Sequence, residues 1–346
     1  MNFQVDRYQN HELLEGGKHA ESYLAIRKED SRKVILKYFQ QHYLQADIEL
    51  EYQILQKIAH PAINKVLTLD LIKGQPALVY DYFDGITLDN FLAEKPLATP
   101  AFLPIATKLA EALSIVHQND VVHCNLSTSN ILINSVTKDI LLIGFSQATG
   151  KQQLANKELI TLTENNNNYW APEQSGRMNR AIDHRADIYS LGIIFYRILA
   201  GCYPFNSKDS IGLLHNHIVK KASLLSELNL ASSVPVVLSR IINKMIAKNP
   251  ADRYQCLSSL IADIEVCEQG LESSNDLLDF DLGKMNNSKQ LFNAGKLYGR
   301  ETEISQIVQA YKKACEADTV LVLLEGEAGV GKSSLVKLVL KQTLSK

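Results

Sequence analysis

Apolar residues fall in short, separable runs along the chain, and their spacing switches between the two-residue and the helical period. From Tyr23 to Phe39 the pattern YLAIRKEDSRKVILKYF sets two β-prone runs around the polar turn Lys28–Lys33 and predicts a hairpin. Asp47–Ala59 carries Ile48, Leu50, Ile54, Leu55 and Ile58 at amphipathic-helix spacing. Ala77–Gly85 reads as a buried strand leaving into a turn, and Ala101–Gln118 as a helix leading directly into Val121-Val122-His123. Asp139–Ser146 reads as a strand running into a loop. The polar run from Glu268 to Lys296 predicts a linker over 269–296. Beyond it, a helical pattern (Glu303–Ala314), an apolar strand (Thr319–Leu324) and a helix-like run (Ser334–Leu344) open a second unit at Leu297.

Length agrees with this division, because 346 residues exceed the roughly 100–200 of one average domain. With 46% hydrophobic residues the chain can bury a sizeable core, and a formal charge of −2 gives no basic field for nucleic acid or an anionic membrane. Five cysteines at 124, 202, 256, 267 and 315 form no CxxC pair, which argues against a disulfide framework or a zinc site. The N-terminus has no signal-peptide pattern and no apolar stretch approaches 18 residues, so the expectation is a cytoplasmic protein without membrane insertion.

Candidate chemistry appears in a fixed order. Lys37 ends the strand VILK, and Glu51 lies on the next helix, nine residues before His60-Pro61-Ala62-Ile63. His123-Cys124-Asn125-Leu126-Ser127-Thr128-Ser129-Asn130 has the layout H-x-x-x-x-x-x-N, and Phe145 follows a strand. Ala171-Pro172-Glu173, Asp187-Ile188-Tyr189-Ser190-Leu191-Gly192 and Arg253 complete the series. In this order and spacing the motifs resemble a protein kinase domain of the Ser/Thr class. The resemblance implies an α+β, two-lobed fold: a β-sheet lobe with one helix over about 10–83, and a mostly helical lobe over about 84–268. It further implies a Lys37–Glu51 ion pair, Tyr80 as gatekeeper, and adenine met by the backbone between Asp81 and Phe83. His123, Phe145, Glu173, Asp187 and Arg253 would be structural. The segment APEQSGRMNRAIDHRADIYSLGIIFYRILAGCYPF is also similar to large bacterial hybrid proteins that join a kinase-like domain to an AAA-type ATPase and a sensor histidine kinase.

The departures cluster on the chemistry. Asn125 stands where the family's loop has its catalytic Asp, and an amide accepts a hydrogen bond but cannot take up a proton near neutral pH. Gly144 replaces the magnesium-binding Asp of D-F-G and Ser146 its Gly; Cys124 replaces the loop Arg. Asn130 is retained and is the cleft's metal candidate. The phosphate-covering loop keeps only Gly16 and Gly17. Asp139, five residues before Gly144, lies roughly 17 Å away along a strand and on its opposite face, which leaves Glu21, in that loop, as the better substitute carboxylate for the metal site.

Gly326-Glu327-Ala328-Gly329-Val330-Gly331-Lys332-Ser333 is a full G-x-x-x-x-G-K-S between an apolar strand and a helix-like run. Its amides would cradle phosphates, Lys332 would reach the β/γ-phosphates and Ser333 would ligate Mg2+. The chain given ends thirteen residues after Ser333, so residues 297–346 are expected to be the N-terminal part of an AAA-type ATPase domain. The leading expectation for 1–268 is therefore a pseudokinase with a regulatory or scaffolding role, ATP in the cleft, and protein partners or downstream signalling modules. The alternatives are an active Ser/Thr kinase using non-standard residues and a P-loop NTP-binding module.

Overall fold

The computed structural model describes residues 7–16, 20–40, 45–72, 74–92, 95–150, 167–176, 181–228, 230, 234–272 and 280–283, with isolated positions from 306 to 323. Two compact units divide at 285/286. In the first, β1 (Tyr8–Gly16), β2 (Ala20–Arg27) and β3 (Lys33–Phe39) are followed by helix α1 (Gln45–Lys57), then β4 (Val66–Ile72) and β5 (Gln75–Asp81). The five strands form one antiparallel sheet in the order β1-β2-β3-β5-β4. The β2–β3 hairpin is thus as the sequence predicts. Strand alternation gives the sheet two apolar faces. Ala25, Val34, Leu36, Ala77 and Val79 pack on one, and Phe39, Leu78 and Tyr80 join the main core on the other.

The face with Tyr80 receives α1, whose buried stripe is Ile48, Glu51, Ile54 and Leu55. That stripe follows the helical period, so Glu51 is buried by its position among apolar neighbours, and a buried carboxylate requires partners. The helix stops at Lys57 rather than Ala59 because the chain is approaching Pro61, whose ring disfavours helical geometry in the residue before it.

The helical lobe begins with β6 (Ile86–Thr87), α2 (Leu88–Leu92) and α3 (Thr99–Gln118). The last starts two residues before the predicted Ala101, since Pro100 sits in the first turn, where a missing N–H costs nothing. Short strands β7 (Val121–Val122), β8 (Ile131–Ile133), β9 (Ile140–Leu142) and β10 (Thr149–Gly150) bracket the candidate catalytic loop, in the sheets β6-β8-β9 and β10-β7. Helices α4 (Arg185–Ala200), α5 (Ser210–Val219), α6 (Val236–Met245) and α7 (Leu257–Glu272) complete the unit. Among the described residues α3 is the one helix long and apolar enough to cross a membrane. It buries Phe102, Leu103, Leu109 and Leu113 in the core instead, each such side chain stabilising by roughly 1.5–3 kcal/mol.

The stretch read as a linker begins inside a helix, because α7 continues to Glu272. Farther along it, Phe280 and Leu282 pack against the core. Asp263 of α7 is fully buried, and one of its carboxylate oxygens accepts the Tyr254 hydroxyl at 2.6 Å and the Gly283 N–H at 2.8 Å. Its other oxygen has no hydrogen-bond partner.

Candidate functional site: a kinase-type cleft

Register places Lys37 opposite Ser22 and Leu78, on the sheet face that receives α1. Its ammonium donates to both oxygens of Glu51, each at 2.8 Å, and lies 4.9 Å from the centre of the Phe39 ring. Glu51 accepts a third hydrogen bond, from the Tyr80 hydroxyl at 2.9 Å. The sequence reading missed this contact. Its signal was the two-residue period: Tyr80 pairs with Ile35, two positions before Lys37 on the same face.

Asp187, in the first turn of α4, organises the loop at 123–130. Its carboxylate accepts the backbone N–H groups of His123 and Cys124, both at 2.8 Å, and pairs with His117 Nε2 at 2.9 Å. Burial alone would raise its pKa, but the His117 hydrogen bond and the neighbouring imidazoles more than offset that and leave it lowered. Cys124 takes a left-handed backbone (φ 60°), which these two amide bonds hold in place. Burial lowers the His123 pKa, so the ring is neutral; Nε2–H donates to the Ile143 carbonyl at 3.0 Å and Nδ1 accepts the Asn125 N–H at 3.3 Å. The same ring packs against Phe145 in a tilted arrangement, with centroids 4.5 Å apart and planes at 59°.

The structure brings Asn125, Asn130 and Gly144 together. Asn130 Nδ2 donates to the Asn125 carbonyl at 2.8 Å, and the Ile143 N–H donates to the Asn130 carbonyl at 3.0 Å. Gly144 has φ 80°, and a Cβ added there would come within 3.0 Å of the Asn130 amide carbon, oxygen and nitrogen. The Asn130 amide therefore fills the space into which a side chain at 144 would extend.

Two further side chains tie the loop down. Gln174 Nε2 donates to the Cys124 carbonyl at 3.1 Å while its oxygen accepts the Ala171 N–H at 2.9 Å. Thr128 Oγ1 meets Asp89 at 2.9 Å, the Tyr169 hydroxyl at 2.6 Å and Arg197 at 2.7 Å. Neither connection was foreseen, because partners such as Thr128 and Arg197 lie 69 residues apart without a motif between them. Below them Arg253 meets Glu173 in a bidentate pair (2.6 and 2.8 Å), both side chains buried.

At the hinge, Asp81 ends β5, its N–H donating to the Lys65 carbonyl and its carboxylate accepting the Tyr82 N–H. A cavity of about 620 Å³ lies behind this segment, lined by Leu55, Ile58, His60, Lys65, Asp81 and Phe83 among others, and none of Lys37, Asn130 or Gly144 reaches it. Gly16 ends β1 opposite Glu21, with open space where a Cβ would stand. Gly17 lies outside the described residues, as do Gly326, Gly329, Gly331, Lys332 and Ser333.

Neither substitute carboxylate faces the cleft. Glu21 pairs with Tyr38, on the sheet face opposite Lys37, and accepts the Tyr23 hydroxyl at 2.8 Å. Asp139 pairs with Lys108 at 2.9 Å on the surface. The donor set thus suits a nucleotide in part: the Lys37 ammonium, held by Glu51, is a cation of the kind a phosphate would meet. It does not suit Mg2+, which wants near-octahedral oxygen ligation usually including a carboxylate. Position 144 supplies no side chain, and among the described residues no three His, Cys, Asp or Glu converge on one site.

A five-stranded lobe with a buried Lys–Glu pair, set on a helical lobe that holds a catalytic-type loop, defines a kinase-class fold. The chain belongs to the protein kinase domain family, whose model matches residues 8–263. A model of the AAA ATPase domain matches 296–346. The chain is similar to hybrid signal transduction histidine kinase G of Dictyostelium discoideum, at 32% identity over 51% of this chain and 6% of that protein. It is also similar to the serine/threonine-protein kinases PknB of Mycobacterium tuberculosis (28% identity; 75% of this chain, 42% of that one) and PrkC of Bacillus subtilis (28%; 75% and 40%). The chain therefore spans less than half the length of each of these relatives.

Proposed function

We propose that the kinase-family unit is a pseudokinase: a regulatory or scaffolding domain of a cytoplasmic signalling protein that holds a nucleotide without transferring its γ-phosphate. The observation that carries this reading is the pairing of Gly144 with Asn130, which leaves the cleft without the metal-binding carboxylate and with an amide in its space. Phosphoryl transfer rests on positioning and on cations that neutralise the phosphate, so this loss outweighs any single lost contact. Asn125 compounds it, since a positioned general base is worth roughly 10²–10⁴-fold. The frame is kept meanwhile: Asp187 holds the loop and Glu173–Arg253 holds the helical lobe. A signalling setting is supported by the likeness to a hybrid signal transduction histidine kinase and by the AAA ATPase match, within which Lys332 and Ser333 would hold a second nucleotide with Mg2+.

The test is incubation of the purified chain with radiolabelled ATP, Mg2+ or Mn2+ and a generic protein substrate. The expected result is no transfer above that of Lys37→Ala. Transfer that Lys37→Ala abolishes would instead establish an active Ser/Thr kinase, the second reading, which the assembled Lys37–Glu51 pair favours. Neither Asn125→Asp nor Gly144→Asp alone is expected to produce transfer, because each leaves the other deficit in place.

A further inference from the structure

We infer that the kinase-type cleft takes its nucleoside di- or triphosphate without a divalent cation. The inference rests on the nucleotide-holding part of the proposed function and goes beyond it by naming the ligand's ionic form. Three observations converge. The half of the cleft that meets phosphate is assembled: the Lys37 ammonium is held by both oxygens of Glu51, and Glu51 is fixed in turn by the Tyr80 hydroxyl. The half that would meet the cation consists of a glycine at 144 and two amides, with Asn130 committed through Nδ2 to the Asn125 carbonyl. The two carboxylates weighed as substitutes, Glu21 and Asp139, are engaged elsewhere, by Tyr23 and Lys108.

Mg2+ sheds its water reluctantly and is normally fixed by one or two protein carboxylates together with the phosphates. Where the protein contributes none, a cation on the phosphates gains no charged protein ligand and weakens the attraction between the phosphates and Lys37. The uncomplexed nucleotide keeps that attraction whole, so removing the cation does not weaken binding.

The experiment uses the full chain carrying Lys332→Ala and Ser333→Ala, which silences the P-loop. ATP and ADP are titrated by calorimetry in EDTA and again in excess Mg2+. Dissociation constants in EDTA equal to those in Mg2+ within about twofold, or lower, are the expected result, with Lys37→Met weakening both by about tenfold or more. Binding seen only with Mg2+ overturns the inference while leaving nucleotide holding intact. Binding in neither medium overturns both. Electron spin resonance of Mn2+ with ATP and the same P-loop variant gives a readout that does not depend on the fold of any Lys37 variant. No manganese retained on the protein supports the inference; a retained ion overturns it.

Discussion

Arg253 spends its donors on Glu173, the Ala247 and Arg185 carbonyls, and a longer contact to Lys248, with the Tyr189 ring 4.8 Å from its guanidinium carbon. Removing one partner of so deeply buried a pair leaves the other charge without compensation. Glu173→Leu should therefore cost about 3–5 kcal/mol in urea unfolding. A second residue sets the acid limit. His217 is buried, shares a hydrogen bond with the Tyr189 hydroxyl at Nδ1 (2.9 Å), and burial together with the Lys248 charge lowers its pKa to about 3. In the unfolded chain it protonates near pH 6.5, so between that value and about 3 the unfolded state binds more protons and stability falls as pH falls. From pH 7 to 5 the loss attributable to this ring should be about 2 kcal/mol. His217→Gln keeps a hydrogen-bonding partner for Tyr189 and should remove that part of the slope in denaturation curves measured at both pH values.

Among the elements, the segment following α7 behaves least as its composition suggested. Scattered apolar residues among polar ones look like a linker, yet Phe280 and Leu282 dock on the core and Gly283, at φ 78°, delivers its N–H to Asp263. Asp263→Leu removes the acceptor and should release the strap, seen as faster protease cleavage between α7 and residue 284. Asp263→Asn retains an acceptor oxygen and should cleave near the wild-type rate. Periodicity and joint motifs made the hairpin, α1, α3 and the Lys37–Glu51 pair legible. What they could not show depended on register or on distant pairing: Tyr80 reaching Glu51, Gln174 reaching the Cys124 carbonyl, Thr128 reaching Arg197. Glu21 illustrates the cost of reading a loop without register, since one position along β2 separates the cleft face, where Ser22 stands, from the opposite one.

At the scale of the whole molecule, the division at 285/286 falls inside the stretch 269–296 read as a linker. A chain ending at 285 should retain the melting temperature of the first unit. One ending at 268 loses the last turn of α7 and the Asp263–Gly283 bond, and should melt several degrees lower, since about 1 kcal/mol shifts a domain of this size by roughly 2–4 °C. Two nucleotide sites of different kinds are expected in one chain, and Tyr80 offers a way to address them separately. It stands at the gatekeeper position that the resemblance implies, with its hydroxyl anchored on α1 through Glu51. The expected outcome is that a purine nucleotide carrying a bulky group binds the Tyr80→Gly chain and not the unaltered one, measured by calorimetry. Such an analogue would load the kinase-type cleft of the engineered chain in a cell extract while leaving the P-loop, and every unaltered kinase around it, to natural nucleotides.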